Sequence, residues 1–379
     1  MIPAAIIRVV EASLGSDAQV GLVVSRVSDP DKLKSAWASS GATLERVGDR
    51  IHATTTVEAL ARAAGRSLER DEALALDGIL REAITAWAGR APQLSARGWT
   101  LPADRRPLIM GIVNVTPDSF ADGGLLYPDG HPGRAIDHGR ELVAAGADIV
   151  DVGGESTRPG AEEVSAKEEL ARVLPVVRAL VSDGVCVSID TRKAEVADQA
   201  LAEGVAVLND VGAGADPALI GLAANTGAAY VLMHSRSTPA DMNAHTDYDD
   251  VVADVYEFLH DGVKRCQEAG LSNKQIIVDP GIGFAKTAPQ SLSLLRAVRQ
   301  FRCLGLPVLI GASRKSFLTA ATDAEDVEDR LPGSLAAASL ATASGAALVR
   351  VHDVPQTIQA VRTSRAIATG QTDWPPVRS

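Results

Sequence analysis

Eight short apolar runs in this sequence each end in polar or charged residues. Asn114 lies at the end of 108–115. Glu155 and Ser156 follow 147–153, Asp190 follows 185–189, and Asn209 with Asp210 follow 205–208. His234 follows 228–233, Asp279 follows 275–278, Ser313, Arg314 and Lys315 follow 308–311, and Arg350, His352 and Asp353 end 347–351. Any one of these could cap the next helix. Eight converging on one mouth are harder to explain that way, because unneeded charge there is costly. Lys315, Arg350 and His352 suit a phosphate, Arg as a fork and Lys as a point charge. Asp190, Asn209 and Asp279 suit a neutral heterocycle rich in amino and ring N–H groups. Asn114 is a plausible oxygen ligand for Mg²⁺, which takes few protein ligands beside substrate phosphate. The chemistry is that of a heterocycle carrying phosphate or diphosphate, with phosphosugar-handling sites as the competing reading.

Arg350 and His352 alternate with Val349 and Val351, so both face one side of their strand. Asp353 is their only counter-charge nearby in sequence. Arg350 is therefore expected to be unpaired and completed by an external anion. Two loops, 117–124 and 153–160, are rich in Gly, Pro and Ser yet carry Asp118, Asp122, Glu155 and Arg158. They read as lids that order over substrate. Phe120, an aromatic in a glycine-bounded loop, has no obvious core to enter.

Stretches of helical period lie between the apolar runs: 169–181, 251–269, 292–301 and 333–343. Strand–helix alternation argues for a parallel sheet, and eight units in 107–379 fit a closed (β/α)8 TIM barrel, whose mouth collects the strand ends. An open doubly wound sheet is the alternative; it expects a glycine fingerprint after the first strand, where Asn114-Val-Thr-Pro-Asp118 stands. The fold class is α/β: the barrel preceded by a small α/β N-terminal domain, 1–95, with strands at 4–11 and 20–27, helices at 31–39, 57–64 and 71–88, and a hairpin around Gly48. No chemical motif appears there, and Asp49 and His52 read as turn residues. Pro92, Gly98, Pro102 and Pro107 punctuate 96–106 as a linker.

Of 379 residues, 46% are hydrophobic and 3% aromatic, so Ala, Val, Leu and Ile must fill the cores of a folded chain. The net charge of −11, without a long basic run, argues against general nucleic-acid or acidic-membrane binding. Cys186, Cys266 and Cys303 are scattered and odd in number, which excludes a disulfide framework and fits a reducing, cytoplasmic setting. Neither a signal peptide nor a membrane span is expected.

The strand-end motifs resemble those of dihydropteroate synthase. Met110-Gly-Ile-Val-Asn-Val-Thr-Pro-Asp-Ser-Phe120 with Asp122-Gly-Gly is similar to its first signature, and Val152-Gly-Gly-Glu-Ser-Thr-Arg-Pro-Gly160 to its second. Ser188-Ile-Asp-Thr191, Leu208-Asn-Asp-Val211, Asp279-Pro-Gly-Ile-Gly-Phe284, Gly311-Ala-Ser-Arg-Lys-Ser-Phe317 and Arg350-Val-His-Asp353 follow in family order across about 105–370. The N-terminal ~100 residues lie outside the common core. The resemblance implies synthesis of 7,8-dihydropteroate and pyrophosphate from a dihydropterin-methyl diphosphate and p-aminobenzoate. It places the pterin on Asp190, Asn209, Met233, Asp279, Phe284, Gly311 and Lys315. It gives p-aminobenzoate to Phe120, Thr157, Arg158, Pro159 and Ser316, beside Lys315, and diphosphate to Asn114, Arg350 and His352. Mg²⁺ on Asn114 bridges the diphosphate, and Asp122, Lys315, Arg350 and His352 form the catalytic set. A homodimer through the late barrel helices is also implied, while sulfonamide sensitivity turns on fine loop geometry.

Two positions depart from the family pattern: Ala285, where Gly is frequent, and Ala121, where Ser is frequent. Two rivals differ at testable residues. A pterin-dependent methyltransferase has no use for Arg350, His352 and both loop signatures. A non-catalytic paralogue would be expected to lose Asn114, Lys315 or Arg350.

Overall fold

The computed structural model describes residues 5–12, 19–27, 29–38, 41–47, 49–56, 59, 70–116, 131–158, 160–161 and 163–376. The chain divides into two compact units, one of Met1–Arg90 with Arg299–Gly305, the other of Ala91–Val298 with Leu306–Ser379.

The first unit holds a four-stranded antiparallel sheet. Its strands are β1 (Ile6–Ala12), β2 (Gln19–Ser25), β3 (Thr43–Val47) and β4 (Arg50–Thr56), in the order β1-β2-β4-β3. Helices α1 (Pro30–Ala38) and α2 (Arg70–Ala88) accompany it. Period-two alternation buries Val9, Leu22, Val24 and Ile51 on one face. Leu76, Leu80 and Trp87 recur at helical spacing on α2 and join Leu33 and Trp37 of α1 in the same core. Arg299 stacks over the Trp87 ring, 4.1 Å from its centroid. His52 is not a turn residue: it sits mid-strand, opposite Val23 and Glu45. The expected helix at 57–64 falls almost wholly outside the described residues.

The second unit is the eight-stranded parallel sheet. Its strands and helices run β7 (Leu108–Asn114), α3 (Gly133–Ala144), β8 (Ile149–Gly153), α4 (Ala166–Ser182), β9 (Val187–Asp190), α5 (Ala194–Ala202) and β10 (Val207–Asp210). They continue with α6 (Pro217–Thr226), β11 (Ala229–Met233), α7 (Val251–Glu268), β12 (Ile276–Asp279) and α8 (Ala288–Arg296). β13 (Leu309–Ile310), α9 (Leu331–Ala343), β14 (Leu348–Val351) and α10 (Val354–Thr369) complete it. β7 pairs with both β8 and β14, and a parallel bridge between Val278 and Val308 joins β12 to the approach of β13. The sheet therefore closes into a barrel, and the open doubly wound alternative fails.

The segment read as a linker is instead part of the barrel unit. Leu94–Ala96 (β5) and Trp99–Leu101 (β6) form a hairpin. Leu94 and Leu101 are fully buried in one cluster with Met110, Ile149, Val207, Val231, Ile277 and Leu348, the lower layer of the barrel interior. Ser95 N–H donates to the Lys274 carbonyl at 2.7 Å and Arg97 N–H to that of Gly227 at 2.8 Å. Pro and Gly punctuation here marks a floor hairpin rather than a free tether. The interior alternation that places Leu348, Ile149 and Val207 in this floor places Arg350, Asp151 and Asn209, two residues on, in the layer above.

Candidate active site

The strand ends open into a cavity of about 290 Å³, lined among others by Asn114, Thr116, Glu155, Asp190, Ser313 and Lys315. Thr157, Arg158, Phe284, Ser316, Arg350 and His352 complete the predicted residues on its wall. Asn209, Met233, Asp279 and Gly311 are buried. Asn209 is tied to this wall through Asp151, and Asp279 by its charge on Lys315. A Cβ at Gly311 would stand 3.8 Å from the Arg350 Cβ and 4.0 Å from Lys315 Nζ, which places Gly311 beside both cations. Phe120, Asp122 and Pro159, and with them the first loop, lie outside the described residues.

Arg350 overturns one expectation. Its Nε donates to Asp151 Oδ2 and its Nη2 to Asp190 Oδ2, each at 2.6 Å. Asp151, fully buried in β8, also accepts from Asn209 Nδ2 at 3.0 Å. Arg350 is thus paired with internal carboxylates, and no vacancy in charge demands an anion. An inward carboxylate is expensive without a partner, so a cation on a facing strand is what stabilises Asp151. Asp353, the counter-charge nearest in sequence, is committed elsewhere: it receives Arg314 Nε at 2.8 Å and Nη2 at 2.5 Å. Among the described residues Arg350 Nη1 has no partner, which leaves one arm of the fork for a ligand.

Electrostatics divide the mouth. Burial raises Asp190 to about 7, against the pull of Arg350 and with Asp151 pushing the same way. Burial lowers Lys315 to about 8, with Asp279 opposing. Burial also raises Asp279, and Lys315 opposes that rise most. Lys315 Nζ donates to the Ile282 carbonyl at 2.5 Å and stands 4.5 Å from the centroid of the Phe284 ring. His352 is held well below the usual histidine range by burial and then by Arg350, so it is a neutral imidazole and not a third cation. Its Nδ1 meets Ser313 Oγ at 3.1 Å, leaving Nε2 for a ligand.

Two strand-end groups do not reach the mouth. Asp210 accepts from Gly212 N–H at 2.7 Å, Gly214 N–H at 3.0 Å and the Tyr230 hydroxyl, the local turn-closing role. His234 is buried against Phe258, ring centroids 4.7 Å apart in an edge-to-face pair. Two groups that sequence reasoning missed are Asp151 and Lys286. Asp151 had a signal: a carboxylate mid-run in an apolar strand, two residues before Gly153.

The second loop is stapled at its base. Glu155 accepts from Lys193 Nζ at 2.9 Å, from Arg192 at 3.2 Å and from Val164 N–H at 3.0 Å. Lys193 also reaches the buried Glu169 at 2.6 Å. Residues flanking the mouth hold left-handed backbone: Arg314 at φ 57° and Ala285 at φ 50°. Ala285 is the position where Gly would be free of this strain.

For a metal, the site offers Asn114. Its amide makes no hydrogen bond to the described residues, and it shares the cavity with Arg350 and His352. Among the described residues no cluster of three or more His, Cys, Asp or Glu is placed to hold a metal ion. One amide oxygen beside an anion pocket fits a hard cation held mostly by substrate oxygens and water.

A family model described as pterin binding enzyme matches residues 110–352. A dihydropteroate synthase of Synechocystis is 44% identical over 265 residues, 69% of this chain and 91% of that protein. A probable bifunctional folylpolyglutamate synthase/dihydropteroate synthase of Haloferax volcanii is 45% identical over 258 residues, and the match spans 68% of this chain but 30% of that longer protein. Among solved structures, the dihydropteroate synthase of Xanthomonas albilineans with 4-aminobenzoic acid aligns at TM-score 0.67 and 42% identity, covering 74% of this chain and 99% of that one.

Proposed function

The chain belongs to the pterin-binding enzyme family as a dihydropteroate synthase, and on that premise we infer how its described side chains divide the work. The reaction joins (7,8-dihydropterin-6-yl)methyl diphosphate to p-aminobenzoate and releases pyrophosphate. The observation that carries the assignment of roles is the one guanidinium, Arg350, held between Asp190 and Asp151 with an arm left over at the cavity.

Asp190, Asn209 and Asp279 supply the acceptors and the amide that the heterocycle's N–H groups and carbonyl require. Lys315, lying over the Phe284 ring, closes one side of that slot. Arg350 Nη1, His352 Nε2 and Asn114 receive the diphosphate, and Arg350 offsets charge building on its departing oxygen. Bound Mg²⁺, held by Asn114 and the diphosphate, would supply further charge neutralisation. Thr157 and Arg158 of the second loop and Ser316 after β13 line the cavity and hold p-aminobenzoate. Its aniline nitrogen is already a neutral nucleophile, so placement matters more than a base. No cysteine serves as a nucleophile: Cys186 and Cys266 are buried, with burial pushing each thiol up to about 12. Three free thiols suit a reducing compartment, and no described helix is long and apolar enough to cross a membrane.

A second copy of the chain is the proposed partner. Leu340 on α9 and Ile367 on α10 are 69% and 82% exposed, on two helices that pack on each other. Light scattering of Leu340→Glu against the unaltered protein tests this pairing. The function is tested by coupled pyrophosphate release: it should require both substrates, and methyl-tetrahydrofolate should neither replace the pterin nor raise thermal stability as the pterin diphosphate does.

A further inference from the structure

Lys286 is a buried cation that the division of labour above does not use. It is 8% exposed, yet it lines the cavity. Its Nζ meets the Phe284 carbonyl at 2.8 Å, His234 Nδ1 at 3.0 Å and the His234 carbonyl at 3.4 Å. Three acceptors match the three N–H bonds of one ammonium. No carboxylate is among them. A chain that buries a lysine this way gives up hydration without recovering an ion pair, and a methionine would fill the same space more cheaply.

The loop around it is forced into contact with the end of β11. Gly281 adopts φ 67°, and a Cβ there would fall 1.9 Å from the His234 carbonyl oxygen. Ala285, also left-handed, has its carbonyl held by the Tyr248 hydroxyl at 3.0 Å. Phe284, whose carbonyl Lys286 holds, is the residue whose ring lies under Lys315. The ammonium therefore fixes the piece of backbone that sets one wall of the heterocycle slot.

Asp279 is the second object of its charge. The carboxylate accepts from Gly281 N–H at 2.7 Å, and Lys286 belongs to the same loop. The groups acting on Asp279 are Lys315 after β13, Lys286, and Arg350 from β14. Those acting on Lys286 are Asp279, Lys315, Arg236 and, by contact, His234.

We propose that Lys286 is a positioning residue of the heterocycle slot: it ties the Phe284 carbonyl to His234 and holds Asp279 as the ionised acceptor that the heterocycle's N–H groups need. The inference rests on the pterin-binding reading of the site. Burial raises Asp279, and Lys286 is among the three cations that restrain the rise. Burial also drives Lys286 well below the usual lysine range, and Asp279 is the largest influence opposing that fall, so each group favours the charged form of the other. His234, lowered to about 2 by burial and then by Lys286, stays neutral and accepts through Nδ1.

The test is equilibrium binding of (7,8-dihydropterin-6-yl)methyl diphosphate to the full chain between about pH 4 and pH 8, from the usual carboxylate range to above that of histidine. Lys286→Met should weaken binding by about tenfold or more, the scale of one lost charge-assisted contact. It should move the acid limb of the binding curve to higher pH and leave the KM for p-aminobenzoate within about twofold. Lys286→Gln keeps a donor for the Phe284 carbonyl but no charge. It should recover part of the affinity at high pH while its acid limb stays moved, and it carries the test if the methionine variant does not fold. A folded variant with unchanged affinity and an unmoved acid limb overturns the proposal, as does equal loss for both substrates. Failure of the unaltered protein to release pyrophosphate would instead sink the functional reading, and the two failures separate cleanly.

Discussion

Asp190 receives Arg350 Nη2 at 2.6 Å, and the same guanidinium gives its Nε to Asp151 at the same distance. One cation therefore belongs at once to the heterocycle pocket and to the anion pocket. Arg350→Ala should cost roughly 2–4 kcal/mol of transition-state stabilisation, as losing one charge-stabilising donor does. It should also lower thermal stability, by about 3–5 kcal/mol at the upper end, because Asp151 is left buried without its cation. Lysine cannot reach both carboxylates with a planar fork, so Arg350→Lys should recover little of either. Steady-state kinetics and thermal unfolding of the two variants check this; wild-type turnover in Arg350→Ala would remove the residue from the diphosphate site.

The pH dependence follows from two neighbours. Asp190, raised to about 7, is protonated below neutrality, and Lys315, lowered to about 8, loses its proton above it. The kcat/KM for pterin diphosphate should rise as Asp190 ionises and fall as Lys315 neutralises, a bell reporting the free enzyme. Asp190→Asn should remove the part of the acid limb near neutrality and leave the part set by Asp279, and Lys315→Arg should carry the basic limb out of range. Stability moves the other way on the acid side. Between about 4 and 7 the folded protein keeps a proton on Asp190 that the unfolded chain has released, so stability falls as pH rises through that window. Asp190→Asn should flatten the fall in a thermal-shift series.

The barrel and most of its mouth were legible because strand ends announce themselves: an apolar run, then a polar residue, eight times over. What stayed hidden were relationships across strands. Asp151 and Arg350 stand 199 residues apart and meet only because β8 and β14 both flank β7. Arg350 looked unpaired because its only nearby counter-charge in sequence was Asp353, which serves Arg314, while its actual partners lie on other strands. His234 matched the strand-end pattern as well as Asp279 did, but its ring turns into the packing around Phe258. The floor hairpin looked like a linker because Pro and Gly shape a tight turn and a tether alike.

Glu155 should act on one substrate only. It gathers Lys193, Arg192 and Val164 N–H, and so joins the two ends of the second loop. Glu155→Ala leaves Lys193 on Glu169 and Arg192 on Glu163, so the fold should survive. The KM for p-aminobenzoate should rise about tenfold, near 1.4 kcal/mol, with pterin diphosphate affinity nearly unchanged. Phe120→Ala, on the sequence reading of the first loop as a lid, should show the same selectivity. Kinetics with each substrate varied in turn decides both, and equal losses would mean a folding role.

Where the barrel begins can be measured by truncation. Every functional residue found lies after Ala91, in the second unit. A fragment from Ala91 to Ser379 should therefore fold and release pyrophosphate. A fragment starting at Pro102 lacks Leu94, Ala96 and Leu101, which are fully buried in the barrel floor. Withdrawing two leucines alone should cost roughly 3–6 kcal/mol, at about 1.5–3 kcal/mol per buried side chain. It also frees the Lys274 and Gly227 carbonyls that the hairpin occupies. The shorter fragment should unfold at a clearly lower temperature, or be recovered insoluble, while the longer one resembles the full chain. Equal stability of the two would show the hairpin to be dispensable, and an inactive but well-folded Ala91 fragment would show that the first unit contributes to the site.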